Sequence, residues 1–268
     1  MLNKIFQENA KVLYTRKIAF NTFETMFQSP DIARHVQPGQ FINILPSDNW
    51  SHMMRRPMSV ASQDDDSLSI IYKVVGLGTQ SMREWEEGQT VDILGPLGNF
   101  WNYQEIKGTP VLIGGGVGIA PIINLKNALE KLKVNHVLVM GAQMKRDHFL
   151  DHNPDKGIYM TTDDGSLGVK GTVIDALDLI NINKNNCKIF ACGPPGMMEA
   201  VKDFSINKDI DCDLALETIM ACGVGICQGC TVEMNSSMVK EDAYRRKYKL
   251  ACIDGPIFNS KDIKTCYL

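Results

Sequence analysis

Four cysteines constrain this chain more than any other feature of its sequence. Three stand in one run, Cys222-Gly-Val-Gly-Ile-Cys227-Gln-Gly-Cys230, and Cys252 follows after 21 intervening residues. This is the plant-type spacing of a [2Fe–2S] cluster, in which four thiolates converge on two irons. Gly223, Gly225 and Gly229 let backbone N–H groups turn toward the sulfurs, and such bonds tune a cluster's potential. A structural zinc site is the competing reading. Its ligands usually come as two close pairs, whereas here a triplet faces a singleton. The remaining thiols, Cys187, Cys192, Cys212 and Cys266, bring the total to eight. With no apolar leader in MLNKIFQENAKVLYTRK, that number predicts a reducing, cytoplasmic setting in which thiols are ligands rather than disulfides.

A chain of 268 residues suits two medium domains, or one domain with appendages. Its 44% hydrophobic and 22% charged content is that of a globular protein with a proper core. Net charge is −3 and no block of Lys or Arg occurs, so neither nucleic acid nor an anionic membrane is expected as a partner. The longest uncharged apolar run, Pro110 to Leu125, is interrupted by glycines and too short to span a bilayer.

Up to about residue 100, short β-type runs alternate with turn residues. They cover Lys11–Ala19, Thr22–Gln28, Gln40–Leu45, Met58–Ala61, Leu68–Val75 and Thr90–Ile93, and predict a closed antiparallel barrel. Two stretches offer more than barrel. In Arg55-Arg56-Pro57-Met58-Ser59 an Arg fork can pair with a phosphate, and the Ser hydroxyl can meet a ring nitrogen. Gly76-Leu77-Gly78-Thr79 is a glycine turn opening a short helix, where N–H groups meet anions. Taken singly, each also fits an ordinary turn or strand edge.

From Thr109 strand and helix alternate, the pattern of a parallel α/β sheet whose ligands bind beyond the strand C-termini. The runs are Pro110–Ile113, His136–Met140, Ile158–Thr162, Lys188–Ala191 and Asp213–Leu216. Helices are expected at Ile122–Leu132, Thr172–Ile182 and Met197–Phe204. Two glycine loops each follow a strand and open a helix. The first, Gly114-Gly115-Gly116-Val117-Gly118-Ile119-Ala120-Pro121, has Pro where the dinucleotide fingerprint has its third Gly, yet Pro suits a first helical turn. The second is Cys192-Gly193-Pro194-Pro195-Gly196. Asp163-Asp164-Gly165-Ser166 reads as a turn. His148 and His152 can share a helix face but are too few for a metal site, and His35, His52 and His136 are isolated. Hydrolytic signatures such as G-x-S-x-G and HExxH are absent.

Nicotinamide exchanges two electrons as hydride and a [2Fe–2S] cluster one at a time, and a flavin mediates between them. In keeping with this, Arg56-Pro57-Met58-Ser59, the Gly-x-Gly-x-Gly-x-x-Pro loop and Cys192-Gly193-Pro194 resemble the ferredoxin–NADP reductase superfamily. Glu217-Thr-Ile-Met-Ala-Cys222 through Cys230-Thr-Val-Glu233, Cys252-Ile-Asp-Gly255-Pro256-Ile-Phe258, and Thr162-Asp163-Asp164-Gly165-Ser166-Leu167-Gly168 are similar to the electron-transfer subunits of dihydroorotate dehydrogenase B. The likeness spans nearly the whole chain and is most specific at its C-terminal end.

The resemblance implies a ferredoxin reductase-like α+β architecture: a barrel for FAD in residues 1–103, an α/β domain for NAD in 104–216, and a [2Fe–2S] module in 217–268. It places Arg56 on the FAD pyrophosphate and Ser59 at the flavin ring, with Pro57 and Met58 among the FAD-binding residues. Ile71, Tyr72 and Lys73 would line the flavin, with Gly78 and Thr79 on its phosphate side. Gly114, Gly116 and Gly118 would face NAD, with Cys192 and Gly193 near the nicotinamide. Cys222, Cys227, Cys230 and Cys252 would hold the cluster. The chain would then need a partner, an FMN-containing catalytic subunit that oxidises dihydroorotate to orotate in pyrimidine synthesis, in a hetero-tetramer of two copies each. No base for that oxidation is evident in this chain. A reductase subunit feeding a ferredoxin, sulfide, hydrogenase or glutamate synthase partner is the sibling reading, and a zinc-binding interaction module is the reading from another class. Two departures stand out: Met58 replaces an aromatic of many reductases, and Gly95-Pro96-Leu97-Gly98-Asn99-Phe100 lacks a glycine between Asn and Phe. The choice between NAD and NADP stays open, since Lys145-Arg146 can accept a 2′-phosphate.

Overall fold

The computed structural model describes residues 4–47, 54–180, 182, 186–235 and 247–267. His52 and Asn181 lie outside them. Six strands form in the first segment: β1 (Phe6–Ala19), β2 (Thr22–Gln28), β3 (Phe41–Ile44), β4 (Arg56–Gln63), β5 (Ser67–Lys73) and β6 (Thr90–Leu97). They close as β1-β2-β5-β4-β3-β6, every neighbouring pair antiparallel. Alternation decides the two faces. Leu68, Ile70 and Tyr72 of β5 turn inward onto Ile42, Ile44 and Val60, while Ile71 turns outward with Ala61 against the second domain. Two short helices punctuate the barrel, α1 (Pro30–His35) and α2 (Leu77–Arg83). The first is too short to announce itself by periodicity. It is tied instead by tertiary contact, the Glu8 carboxylate accepting from Ser29 Oγ and from the Ile32 N–H at 3.0 Å.

The second segment supplies β7 (Thr109–Gly115), α3 (Ile119–Lys131), β8 (Val137–Ala142), β9 (Ile158–Thr162), β10 (Val169–Lys170), α4 (Val173–Ile180), β11 (Cys187–Cys192), α5 (Pro195–Asn207) and β12 (Asp211–Ala215). β7 is buried from Pro110 to Gly115, as a central strand covered on both faces must be. In the last segment β13 (Thr231–Glu233) and β14 (Tyr248–Leu250) pair with each other, and β15 (Ile257–Asn259) lies antiparallel on β12. The large sheet thus runs β10-β9-β8-β7-β11-β12-β15 and is parallel except for that edge. The chain starts it at β7, moves outward to β10, and crosses back to β11. The reversal leaves a crevice between the C-terminal ends of β7 and β11, the position where sheets of this kind bind ligands.

The loop with the missing glycine, Gly95–Phe100, has a structural task. Asn99 donates its side-chain amide to the carbonyls of Asp254 and Ile257, both at 2.9 Å, and its carbonyl oxygen accepts from the Ile257 N–H at 2.9 Å. Its own N–H donates to the Gly255 carbonyl at 2.6 Å. One side chain therefore staples the barrel to the cysteine-bearing segment.

Candidate functional site

A cleft of about 280 Å³ opens where the three segments meet. Pro57, Met58, Ser59, Ile71, Tyr72, Lys73 and Thr79 border it from the barrel side, Val117 and Ala120 from the first glycine loop, and Leu216, Glu217, Thr218 and Met220 from the approach to Cys222. Tyr72 is buried, its hydroxyl 3.3 Å from Thr25 Oγ1 and its ring stacked on Phe23. It therefore turns its main chain to the cleft, and burial pushes its hydroxyl up to about 12. Arg56 and Gly78 come together although 22 positions separate them in the chain. A Cβ on Gly78 would sit 2.9 Å from Arg56 Nε, so the guanidinium lies close over the start of α2. Thr79 holds that turn in shape, its hydroxyl accepting from the Val75 and Gly76 N–H groups at 2.9 and 3.2 Å. A mostly apolar cleft with a cation beside a tight turn fits a ring system bearing a pyrophosphate.

Glu217 heads the motif that runs into Cys222, but the motif assigns it no role. Glu217 is exposed at the cleft mouth, but the protein packed around its carboxyl pushes it up to about 7. No spacing rule finds such a residue, because the shift comes from tertiary enclosure. Nearby Cys192 is fully buried at the end of β11; burial first, then the Glu217 charge, keeps its thiol protonated.

A second cavity, about 510 Å³, continues from the first past Lys73, which borders both. Gly115, Gly116, Pro194 and Gly196 flank it at the sheet crevice, and Met140, Thr161 and Asp163 at its far end. The two glycine loops touch. A Cβ on Gly118 would lie 2.5 Å from the Cys192 carbonyl and the Gly193 nitrogen, and Gly116 has φ +56°. Gly114, where a Cβ would meet Met140 Sδ at 3.2 Å, packs behind the loop. Gly114, Gly118, Cys192 and Gly193 thus shape the crevice rather than border the open space. Thr161 Oγ1 is buried at the wall without a protein partner, an atom suited to a polar ligand such as a ribose hydroxyl. Of the basic pair after β8, Arg146 is drawn away, its guanidinium 4.0 Å from the Phe20 ring centroid. The two histidines nearby are structural: His148 Nε2 is 3.0 Å from the Thr161 carbonyl, and His152 Nδ1 accepts from the Met160 N–H at 3.1 Å.

The four cysteines assemble as two pairs. Cys222 and Cys227 sulfurs are 3.3 Å apart, and those of Cys230 and Cys252 3.2 Å. Among the described residues no three Cys, His, Asp or Glu side chains converge on a single point. Two pairs suit two metal positions better than one tetrahedral zinc. Burial opposes ionisation of Cys222, but the N–H groups of Cys227, Val224 and Ile226 outweigh it and bring its thiol down to about 6. Gly223 and Gly225 provide the required turns at φ +70° and +77°. Burial and the Cys230 thiol push Cys252 up to about 12, so Cys252 must give up its proton before metal binds.

A flavin-sized cleft, a nucleotide crevice and paired thiols on this fold define a reductase of the ferredoxin–NADP reductase type carrying an iron–sulfur module. Residues 217–264 match the iron-sulfur cluster binding domain of dihydroorotate dehydrogenase B, and residues 112–203 the oxidoreductase NAD-binding domain. The chain is 32% identical over 265 residues to the dihydroorotate dehydrogenase B (NAD(+)) electron transfer subunit of Desulforamulus reducens, covering 97% of this chain and 98% of that one. It is 31% identical to the same subunit of Fusobacterium nucleatum, over 96% and 98% of the two chains. This chain belongs to that family of electron transfer subunits. Among solved structures, a chain of the NADH-dependent reduced ferredoxin-NADP oxidoreductase matches with TM-score 0.82 and 29% identity, over 96% of this chain and 90% of that one. A ferredoxin NADP+ reductase from Neisseria gonorrhoeae shares the fold at TM-score 0.62 and 16% identity, over 76% and 92%.

Proposed function

We propose that the chain carries electrons between the flavin of a dihydroorotate-oxidising partner and NAD+, as the oxidoreductase component of that enzyme. One observation carries this reading: a single cleft is bordered by the barrel, the first glycine loop and the segment running into Cys222. When bound, FAD supplies the conversion between two-electron and one-electron chemistry, NAD the two-electron exchange, and the [2Fe–2S] cluster the one-electron link to the partner. Arg56 and the Gly78–Thr79 turn would hold the FAD phosphates, and Pro57 to Ser59 and Ile71 to Lys73 its ring. Gly114, Gly116, Gly118 and Gly193 would admit the NAD pyrophosphate, with Cys192 behind the nicotinamide. The four cysteines would hold the cluster. Residues 1–103, 104–216 and 217–268 would divide the labour accordingly.

The partner in this proposal binds FMN and assembles with two copies of this chain in a cytoplasmic hetero-tetramer. Among the described residues no helix is long and apolar enough to cross a membrane. Ile219 and Ile226, 87% and 81% exposed, flank the Cys222–Cys227 pair and give that side an apolar face suited to a partner. A sibling reading, service to a ferredoxin-type partner, draws support from the likeness to the NADH-dependent reduced ferredoxin-NADP oxidoreductase chain.

The test is a pair of assays on Ile226→Glu, because Ile226 is exposed whereas Val224 packs half-buried against the core. NADH oxidation by a dye should be retained, and NAD-dependent dihydroorotate oxidation with the FMN subunit added should fall about tenfold, the loss of roughly 1.4 kcal/mol of interface energy. A parallel fall in both assays assigns the loop to the cluster alone. Failure of the wild type to bind such a subunit hands the function to the sibling reading.

A further inference from the structure

We propose that Asn43 is the positioning residue that fixes the Cys222 end of the cluster loop against the flavin barrel. It lies on β3, directly opposite Pro57 in the strand register, and Pro57 borders the flavin cleft. Its side chain is fully buried, and its Nδ2 donates to the Cys222 carbonyl at 3.1 Å. Gly223, the next residue, has φ +70°, and a Cβ there would stand 2.8 Å from Asn43 Nδ2 and 3.4 Å from Leu97 Cδ1. The loop backbone is thus pressed onto this amide with no room for a side chain between them.

Asn43 is itself held. Arg55 Nη1 donates to the Asn43 carbonyl at 3.2 Å and to the Asp92 carbonyl at 3.3 Å, while Nη2 reaches Asp92 Oδ2 at 2.8 Å. Its own Oδ1, however, is buried without a protein partner. An unpaired buried acceptor weakens a fold, and leucine would fill the same space without it. The amide therefore acts through the direction of its one donated bond rather than through packing. One residue pair, Asn43 facing Pro57, separates the cleft wall from a cluster ligand. Any slack at Asn43 alters the placement of Cys222 relative to that wall.

This inference rests on the reading of Cys222, Cys227, Cys230 and Cys252 as cluster ligands. Iron and sulfide content of the wild type tests that reading separately. The experiment uses the holoprotein with FAD and cluster bound and compares wild type with Asn43→Leu. After mixing with NADH, flavin bleaching should keep its rate while subsequent cluster reduction slows about tenfold or more. The electron paramagnetic resonance signature of the reduced cluster should shift or broaden, whereas FAD content and Tm stay at the wild-type level. Gly223→Ala attacks the same contact from the loop side and should reproduce the effect; it decides the matter if Asn43→Leu does not fold. Combining both changes should add little to either alone. Wild-type cluster kinetics and spectrum in Asn43→Leu, or in Gly223→Ala alone, overturn the proposal. So does a fall in Tm with no change at the cluster, which would make Asn43 a packing residue only.

Discussion

The barrel and the cluster-bearing segment solve the problem of holding a redox group in opposite ways. The barrel is a closed ladder around an apolar core, with no open edge and with Ile42, Ile44, Leu68, Ile70 and Ile93 wholly buried. The last segment has three-residue strands and positive φ at Gly223, Gly225 and Gln228. Among its described residues the most exposed large apolar side chains, Ile219 and Ile226, stand on either side of Cys222. A barrel of that kind exists before its ligand binds. A segment whose strands are this short, with Cys222 and Cys227 outside the core, takes part of its stability from the group its cysteines hold. Flavin and cluster should therefore be separable by mutation, and unequally so.

The sharpest way to break this contrast is at a thiol. Cys227→Ser should take iron from about two per chain to near none while FAD content stays unchanged. Metal analysis with flavin absorbance measures both at once. Simultaneous loss of FAD would mean that the barrel leans on the cluster segment. The next effect is smaller and falls on the barrel side. Arg56→Ala removes a charge-assisted phosphate contact and should cost roughly 1.5–3 kcal/mol, about tenfold or more in FAD affinity. Retention on dialysis reads it, and iron content should not move.

How much of this was visible in the sequence follows the same division. β2 and β9 run over the residues that turn chemistry and alternation predict, and each of the six barrel strands overlaps an expected run. β1, however, begins five residues earlier, at Phe6, and β6 runs on to Leu97. The cysteine spacing alone brought the four thiols into view. What escaped notice was whatever depends on enclosure. β10 has two residues and β15 three, too few for any periodicity, and β15 exists only because β12 offers it an edge. Arg146 reads as an anion ligand in the sequence, but Phe20 from the barrel claims it. Glu217 reads as an ordinary acid until the cleft closes round it.

Glu217 also yields the smallest effect. Its folded pKa, about 7, stands above the ordinary 4.5, so the native state holds the extra proton between those values. The stability this contributes is complete below about pH 4.5 and is lost as pH rises through about 7. Glu217→Gln should match the wild type in Tm near the acidic end and exceed it by no more than a few degrees above neutrality. Melting curves across that window check the sign; a difference independent of pH would mean that the carboxyl is not enclosed.

The pairing of Ala215 with Ile257, next to the hydrogen bond from the Leu216 N–H to the Pro256 carbonyl at 2.9 Å, has a topological consequence. The chain departs the sheet and re-enters it at adjacent points, so the two ends of the 216–256 segment meet at one closed base, while Asn43 and Asn99 tie its Cys222 and Asp254 ends to the barrel. Because closing a loop costs only logarithmically more as it lengthens, that base tolerates inserts of very different size. The cysteine-bearing segment is in this sense an insert whose length is free at its sheet-edge base but whose position is set by the barrel residues Asn43 and Asn99.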